Sequence, residues 1–126
     1  MNEGSRIGHI AWHDITVPDA PALRDFYAAV VGWSTEDVSM GDYADFNMKQ
    51  PNSGEATAGV CHARGENADL PPQWLMYIIV ADLDASIDAC TRHGGRVVRE
   101  ARPLAGGRFA VVADPVGAIT ALFEEG

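Results

Sequence analysis

The start of the chain passes from a hydrophobic pattern typical of a strand to one typical of a helix. Residues 7–17 are rich in β-branched and aromatic side chains, which predicts a strand. Asp19 offers a side-chain oxygen that can cap a helix, and Gly32 can end one. Between them, apolar residues recur every three or four positions at Leu23, Phe26, Tyr27, Val30 and Val31. The segment is therefore predicted to be a strand that leads into a helix.

The same pattern returns in the second half of the chain at an offset of 63 residues. Residues 74–80 form an apolar run typical of a strand, and Asp82 takes the place of Asp19 as the cap. Gly95 takes the place of Gly32 at the end of the helix. An internal repeat of this kind predicts two copies of one structural unit.

Each predicted helix is followed by enough chain for three short strands. These strands are expected at about 33–38, 43–49 and 56–63 in the first half, and at about 96–101, 108–113 and 118–124 in the second. A polar linker at about 64–72 separates a first module (about 7–63) from a second (about 73–124). Neither half has enough apolar surface to fold alone, so we expect one domain over residues 1–126. Its class is α+β, with two tandem βαβββ modules, a curved mixed sheet and the helices outside.

Composition and charge narrow the range of functions. The chain has 126 residues, of which 47% are hydrophobic, and a formal net charge of -9, so neither nucleic acid nor an anionic membrane surface is an expected partner. No apolar run approaches the ~20 residues that span a bilayer, and residues 1–8 are too polar for a signal peptide. With only Cys61 and Cys90 and no CxxC pair, we expect a cytoplasmic protein with free thiols.

Several short motifs, in their order along the chain, resemble one superfamily. Trp12-His13-Asp14-Ile15, Phe26-Tyr27 and Gly32-Trp33 open the first half, and the run 74–84, Gly94-Gly95 and Asp114-Pro115-Val116-Gly117 follow in the second. Over about Ile7 to Glu124 the chain resembles the glyoxalase and bleomycin-resistance, or vicinal oxygen chelate, superfamily. The resemblance implies paired βαβββ modules around a small-molecule cleft. It leaves open metal-dependent isomerases, epimerases, lyases and dioxygenases as well as metal-free drug-sequestering proteins.

The resemblance also implies four positions for metal ligands, which His, Gln or Glu occupy in the enzymes of the superfamily. Two lie seven residues before the capping aspartates, at Trp12 and Leu75, and one lies four residues after Gly117, at Ala121. The fourth corresponds to Ala58 or a neighbour. Indole and aliphatic side chains offer no lone pair to a cation, so we expect neither a metal nor another cofactor.

Strand alternation predicts which side chains share the cleft. If Trp12 points inward, Asp14 and Thr16 do too, whereas His13 and, on the last strand, Glu124 point away from the cleft. A shift of one residue in register would reverse this and make His13 and Glu124 candidate ligands. His62 points inward if Ala58 does, and Tyr77 points inward if Leu75 does. The expected ligand-binding residues are Trp12, Asp14, Thr16, His62, Tyr77 and Arg108.

Three functions follow from these residues. The first is a metal-independent protein that binds a hydrophobic or aromatic small molecule. The second is a metal-dependent lyase, isomerase or dioxygenase with shifted ligands. The third is a metal-free enzyme in which Asp14 and His62 form an acid–base pair. Asp14 has a structural alternative, in which it hydrogen-bonds a neighbouring strand, water or an arginine (Arg102 or Arg108). Either arginine could instead clamp a ligand carboxylate. A homodimer is expected, because clefts in related proteins are often completed by a second chain.

Overall fold

The computed structural model describes residues 6–126, apart from the side chain of Glu66. The expectation of a polar N-terminus concerns residues 1–8, of which the first five lie outside the described residues. The chain forms two compact units. We call His13–Trp74 the N-terminal unit, and the residues up to Trp12 together with Leu75–Gly126 the C-terminal unit.

The N-terminal unit contains one helix and the strands on which it packs. Its elements are β1 (Ile10–Val17, which enters this unit at His13), α1 (Ala20–Val31), β2 (Ser34–Ser39), β3 (Ala44–Lys49) and β4 (Ala56–His62). The strands lie in the order β2-β3-β4-β1, with β1 parallel to β4 and the other neighbours antiparallel. Helix α1 packs against β2, β3 and β4.

Helix α1 begins and ends where its capping residues predict. The Asp19 carboxylate accepts a hydrogen bond from the Ala22 amide at 3.1 Å, which satisfies one of the unpaired amides of the first turn. Gly32 has φ 89°, a left-handed conformation that glycine adopts without steric cost, and its amide donates to the Ala28 carbonyl.

The core of the N-terminal unit lies between α1 and its sheet. Its buried residues are Ile15, Ala20, Phe46, Met48, Ala58 and Val60. The register places Val60 opposite both Ile15 and Phe46, so these three side chains share the face covered by α1. Asp14 and Thr16 alternate with Ile15 along β1 and therefore lie on the face opposite α1.

The C-terminal unit repeats this arrangement. Its elements are β5 (Leu75–Ile79), α2 (Leu83–Arg92), β6 (Arg96–Leu104), β7 (Gly107–Ala113) and β8 (Ile119–Glu124), with the strands in the order β5-β8-β7-β6. Strand β5 is parallel to β8, and β7 is antiparallel to both of its neighbours. Helix α2 packs against β6, β7 and β8, and Asp82 caps it by accepting from the Ala85 amide at 3.1 Å.

Strand β6 is longer than the sequence predicts, because it ends at Leu104 rather than near residue 101. Ala105 and Gly106 alone connect it to β7, with φ values of 49° and 83°. Positive φ at both central residues is typical of the two-residue hairpin turn that matches strand twist. Ala-Gly is a weak signal for this turn, which is why the sequence does not reveal the full strand.

The structure confirms the α+β class and the two βαβββ modules. Within residues 6–126 the chain forms eight strands and two α-helices, and the order strand, helix, three strands occurs twice. Both the parallel and the antiparallel pairings of a mixed sheet are present in each unit. None of the helices in the described part of the chain is long and apolar enough to cross a membrane.

Candidate functional site

Strand register identifies the fourth position at which the superfamily would place a metal ligand. In the C-terminal unit Tyr77 pairs with Ala121, and in the N-terminal unit Asp14 pairs with Gly59. Since Tyr77 and Asp14 are equivalent under the offset of 63 residues, Gly59 is the equivalent of Ala121. The fourth ligand position is therefore Gly59 and not the expected Ala58, since Ala58 packs in the core beneath α1.

The residues at these four positions do not fit a divalent metal. They are Trp12, Leu75, Ala121 and Gly59, and none of them carries a side-chain donor for zinc, nickel, iron or manganese. Within residues 6–126, no group of three or more His, Cys, Asp or Glu side chains is arranged to hold a metal ion. The side chains at these four positions therefore do not supply the ligand set that the resemblance implies for the enzymes of the superfamily.

His13 and Glu124 lie on helix-covered faces, as strand alternation predicts. His13 lines a pocket together with Tyr27 of α1. The Glu124 carboxylate accepts a hydrogen bond from the Leu83 amide at 2.7 Å, at the first residue of α2. Each side chain is thus on the helix side of its own unit.

The face opposite α1 carries Asp14, Thr16 and Cys61. Thr16 is buried and pairs with Cys61 across the parallel strands β1 and β4. Burial raises the pKa of the Cys61 thiol, and the carboxylates of Asp14 and Asp45 raise this pKa further because they disfavour a second negative charge nearby. This face therefore combines a hydroxyl, a protonated thiol and a carboxylate. Trp12 precedes Asp14 by two residues on β1 and is partly buried.

His62 is bound to Asp45 rather than to Asp14. Its Nδ1 atom lies 3.1 Å from Asp45 Oδ1, and the same oxygen accepts the His62 amide at 2.8 Å. The imidazole contacts the rings of Tyr43 and Phe46, the second of which belongs to the core beneath α1. His62 therefore lies on the face that α1 covers and does not form the acid–base pair expected with Asp14. Asp45 is a polar partner that the sequence analysis missed.

Tyr77 and Arg108 lie on opposite faces of the C-terminal sheet. The Tyr77 ring is 5.8 Å from the Phe109 ring, on the face opposite α2. The Arg108 guanidinium instead forms ion pairs with the carboxylates of Asp84 in α2 and of Glu124, with nitrogen–oxygen distances of 3.3 and 3.4 Å. Arg102, the other arginine considered, shares the Tyr77 face, since its guanidinium is 5.4 Å from the Phe109 ring. The structure therefore separates Arg108 from the other expected ligand-binding residues of this unit.

An open pocket of about 260 Å³ lies beside α1, within the N-terminal unit. It is lined by His13, Tyr27, Trp33, Thr57, Ala58 and Trp74, which we call the aromatic pocket. Trp74 Nε1 donates a hydrogen bond to the Tyr27 hydroxyl at 2.9 Å. This pocket is not among the sites predicted from the sequence, although its three rings belong to the motifs that carry the family resemblance.

Comparisons with known proteins agree with this architecture. The sequence model of the Glyoxalase/Bleomycin resistance protein/Dioxygenase superfamily matches residues 6–121. CFP32 of Mycobacterium bovis, whose name assigns it provisionally to the glyoxylases, is 33% identical over 94% of this chain and 46% of its own length. The anthracycline biosynthesis protein DnrV of Streptomyces peucetius is 30% identical over 94% of this chain and 48% of its own. The chain thus spans about half the length of these relatives.

Solved structures share the fold at lower identity. Methylmalonyl-CoA epimerase from Mycobacterium tuberculosis superposes with a TM-score of 0.55 at 20% identity, covering 100% of this chain and 93% of the epimerase. A Streptomyces coelicolor methylmalonyl-CoA epimerase gives a TM-score of 0.54 at 21% identity, covering 94% and 98%. Identities in this range show the fold alone. The match of the family model over nearly the whole chain shows that the chain belongs to the glyoxalase/bleomycin resistance protein/dioxygenase superfamily.

Proposed function

We propose that this protein binds an apolar or aromatic small molecule without the help of a metal ion. One observation carries the proposal: the four positions that would hold the metal are Trp12, Gly59, Leu75 and Ala121. A cation at these positions would lose its water ligands and gain no side-chain donor in return. The family's metal-dependent reactions therefore have no electrophile to use at this site.

Each unit has a sheet face opposite its helix whose side chains suit such a ligand. In the C-terminal unit this face is aromatic, with Tyr77 packed on Phe109. In the N-terminal unit it carries the polar groups of Asp14 and Thr16. Small-molecule sites usually combine mainly apolar walls with a few polar groups that orient the ligand. The name of the Streptomyces peucetius relative, an anthracycline biosynthesis protein, is consistent with an aromatic ligand.

The metal content of the purified protein, together with ligand binding under chelation, tests this proposal. We expect far less than one equivalent of Ni, Zn, Fe or Mn per chain by plasma mass spectrometry. We also expect 2-naphthol to bind equally well with and without EDTA in equilibrium dialysis. A His13→Ala variant serves as the control for adventitious metal at an exposed imidazole. Near-stoichiometric metal in that variant, or binding that EDTA abolishes, would contradict the proposal.

We also propose that two copies of the chain form a homodimer through α1. Phe26, Val30 and Val31 of this helix are each more than half exposed, although they belong to the predicted apolar stripe. Exposed apolar patches of this kind commonly mark protein interfaces. The curated relatives are about twice as long as this chain, so a second copy would supply a comparable amount of protein.

We also propose that the protein is located in the cytoplasm. Both cysteines, Cys61 and Cys90, are free thiols in the structure. Free thiols persist in reducing compartments, whereas secreted domains of this size often pair theirs.

A further inference from the structure

We propose that the aromatic pocket is a second binding site, specific for a neutral aromatic molecule of one or two rings. The pocket goes beyond the function proposed above because it lies on the other side of the N-terminal sheet. His13 alternates with Asp14 along β1, and Ala58 packs in the core beneath α1. A ligand here would therefore contact none of the groups on the face that carries Asp14 and Thr16.

The size of the pocket limits the ligand. Its volume is about 260 Å³, and its lining is mainly aromatic and aliphatic. An apolar cavity of ~150 Å³ is large enough to bind benzene. A pocket of this volume accordingly holds a single ring with substituents or two fused rings. A larger polycyclic molecule would project into solvent.

The three aromatic rings are held in a defined arrangement before any ligand arrives. The Trp74 ring meets Tyr27 at an interplanar angle of 75° and Trp33 at 74°, with ring centroids 5.2 and 6.2 Å apart. The hydrogen bond from Trp74 Nε1 to the Tyr27 hydroxyl fixes the orientation of both rings. Edge-to-face packing leaves ring surfaces on which a further aromatic ring can stack, a contact worth ~0.5–1.5 kcal/mol beyond its area. Preorganisation also lowers the entropic cost of binding.

The polar groups of the pocket select a neutral ligand with one oxygen substituent. His13 is exposed at the rim and Thr57 is half-buried, so an imidazole and a hydroxyl are available for one hydrogen bond each. The six lining residues include no lysine or arginine, and the chain carries a formal net charge of -9. A carboxylate or phosphate would therefore meet no cationic partner and an unfavourable field. A phenol or naphthol meets both requirements.

Tryptophan indole resonances in a two-dimensional ¹H–¹⁵N NMR spectrum test this proposal on the unmodified protein. Its three tryptophans give three indole signals, those of Trp12, Trp33 and Trp74, which single Trp→Phe variants assign. During titration with 2-naphthol we expect saturable shifts of the Trp33 and Trp74 signals, and these shifts test the aromatic pocket whether or not the Trp12 signal also moves through binding on the opposite sheet face. Shifts confined to Trp12 would overturn this inference while supporting a ligand on the sheet face opposite α1. Absence of any saturable shift would overturn it as well.

Variants of the pocket give an independent measurement. Trp33→Leu removes one stacking surface and should weaken 2-naphthol binding about tenfold, whereas Tyr27→Phe removes only the acceptor of the Trp74 hydrogen bond and should weaken it about threefold. Tyr43→Phe is the matched control, because Tyr43 contacts His62 and Arg64 outside the pocket. Folding of each variant is checked by the dispersion of its amide spectrum. Equal affinity in a folded Trp33→Leu variant and in the control would overturn the proposal.

Discussion

The thiol of Cys61 lies in surroundings that oppose its ionisation. It is partly buried on β4, and two carboxylates, those of Asp14 and Asp45, are close enough to raise its pKa in addition to the effect of burial. Only the thiolate is a strong nucleophile. We therefore expect little thiolate at Cys61, and low reactivity of this residue, at neutral pH.

The raised pKa of Cys61 predicts a loss of stability in alkaline solution. In the unfolded chain this thiol ionises near its ordinary value of 9.0, whereas in the folded protein it stays protonated. Above that pH the folded state binds more protons than the unfolded state, so the free energy of unfolding falls with a slope of up to ~1.4 kcal/mol per pH unit. Below that pH the contribution is fully present. Urea unfolding measured from pH 7 to pH 10.5 reports this slope.

Two cysteine variants isolate the effect from other groups that titrate in the same range. Cys61→Ala should remove this part of the slope. Cys90→Ala, which removes the other free thiol and leaves Cys61 in place, should retain it. If wild type and Cys61→Ala lost stability in parallel as the pH rises, the assignment of the raised pKa to Cys61 would be wrong.

Asp45 shows why single residues of the site are hard to identify from sequence. Its carboxylate binds both the amide and the imidazole of His62, which is 17 residues away in the chain. Only the antiparallel pairing of β3 with β4 brings the two together. In the sequence Asp45 is an ordinary polar residue near the start of a strand, and strand alternation points to Asp14 as the acid–base partner of His62 instead.

At the scale of elements, the two capping aspartates predict a matched pair of effects on stability. Asp19 and Asp82 each accept one amide hydrogen bond at 3.1 Å in the first turn of their helix. Replacement of either by alanine should lower the free energy of unfolding by about 1 kcal/mol, because one amide of the turn loses its partner. The two variants should lose similar amounts in urea titrations, since the contacts are equivalent.

Asp25→Ala is the control for removing a carboxylate from a helix. Asp25 lies in the second turn of α1, is largely exposed and forms an ion pair with its neighbour Arg24. Exposed ion pairs of this kind contribute about 0–1 kcal/mol, so a smaller change than in the cap variants is expected. A control that lost as much stability as Asp19→Ala would show that charge, and not capping, is responsible.

Helices and strands were largely predictable from sequence because their signals are local. Asp19, Gly32 and Asp82 mark helix ends through bonds made within four residues, and alternating apolar positions mark the strands. The faces of the site were less predictable, since they depend on which residues pair across strands. A difference of one residue between Ala58 and Gly59 reverses the face of β4, and with it the place of His62.

Arg108 illustrates the same limit in the C-terminal unit. Its place near the start of a strand made it a candidate to clamp a ligand carboxylate. The pairing of Arg108 with Glu124 across β7 and β8 instead directs it to the α2 side, where Asp84 also binds it. No periodicity in the sequence distinguishes this arrangement from the opposite register, in which Arg108 would share a face with Tyr77.

At the scale of the whole molecule, helix α1 presents an apolar surface to solvent. The exposed fractions of Phe26, Val30 and Val31 are 53%, 64% and 52%. Phe26 and Val30 are four residues apart and so lie one above the other on the helix. Leu23 and Tyr27 of the same stripe instead pack against the core. The stripe is thus wider than the N-terminal unit needs for its own core, which is the pattern expected of a helix with a second partner.

A charged residue on this surface should separate the proposed dimer. Each chain has a mass of 13.5 kDa, so a dimer has twice the mass of a monomer, and sedimentation equilibrium measures this difference. We expect the wild type to sediment as a dimer and Phe26→Glu as a monomer, because a buried carboxylate without a partner costs several kcal/mol. Val116→Glu is the matched control, since Val116 is 89% exposed in a turn of the C-terminal unit. A wild-type monomer, or a Phe26→Glu variant that stays dimeric, would show that α1 does not form the interface.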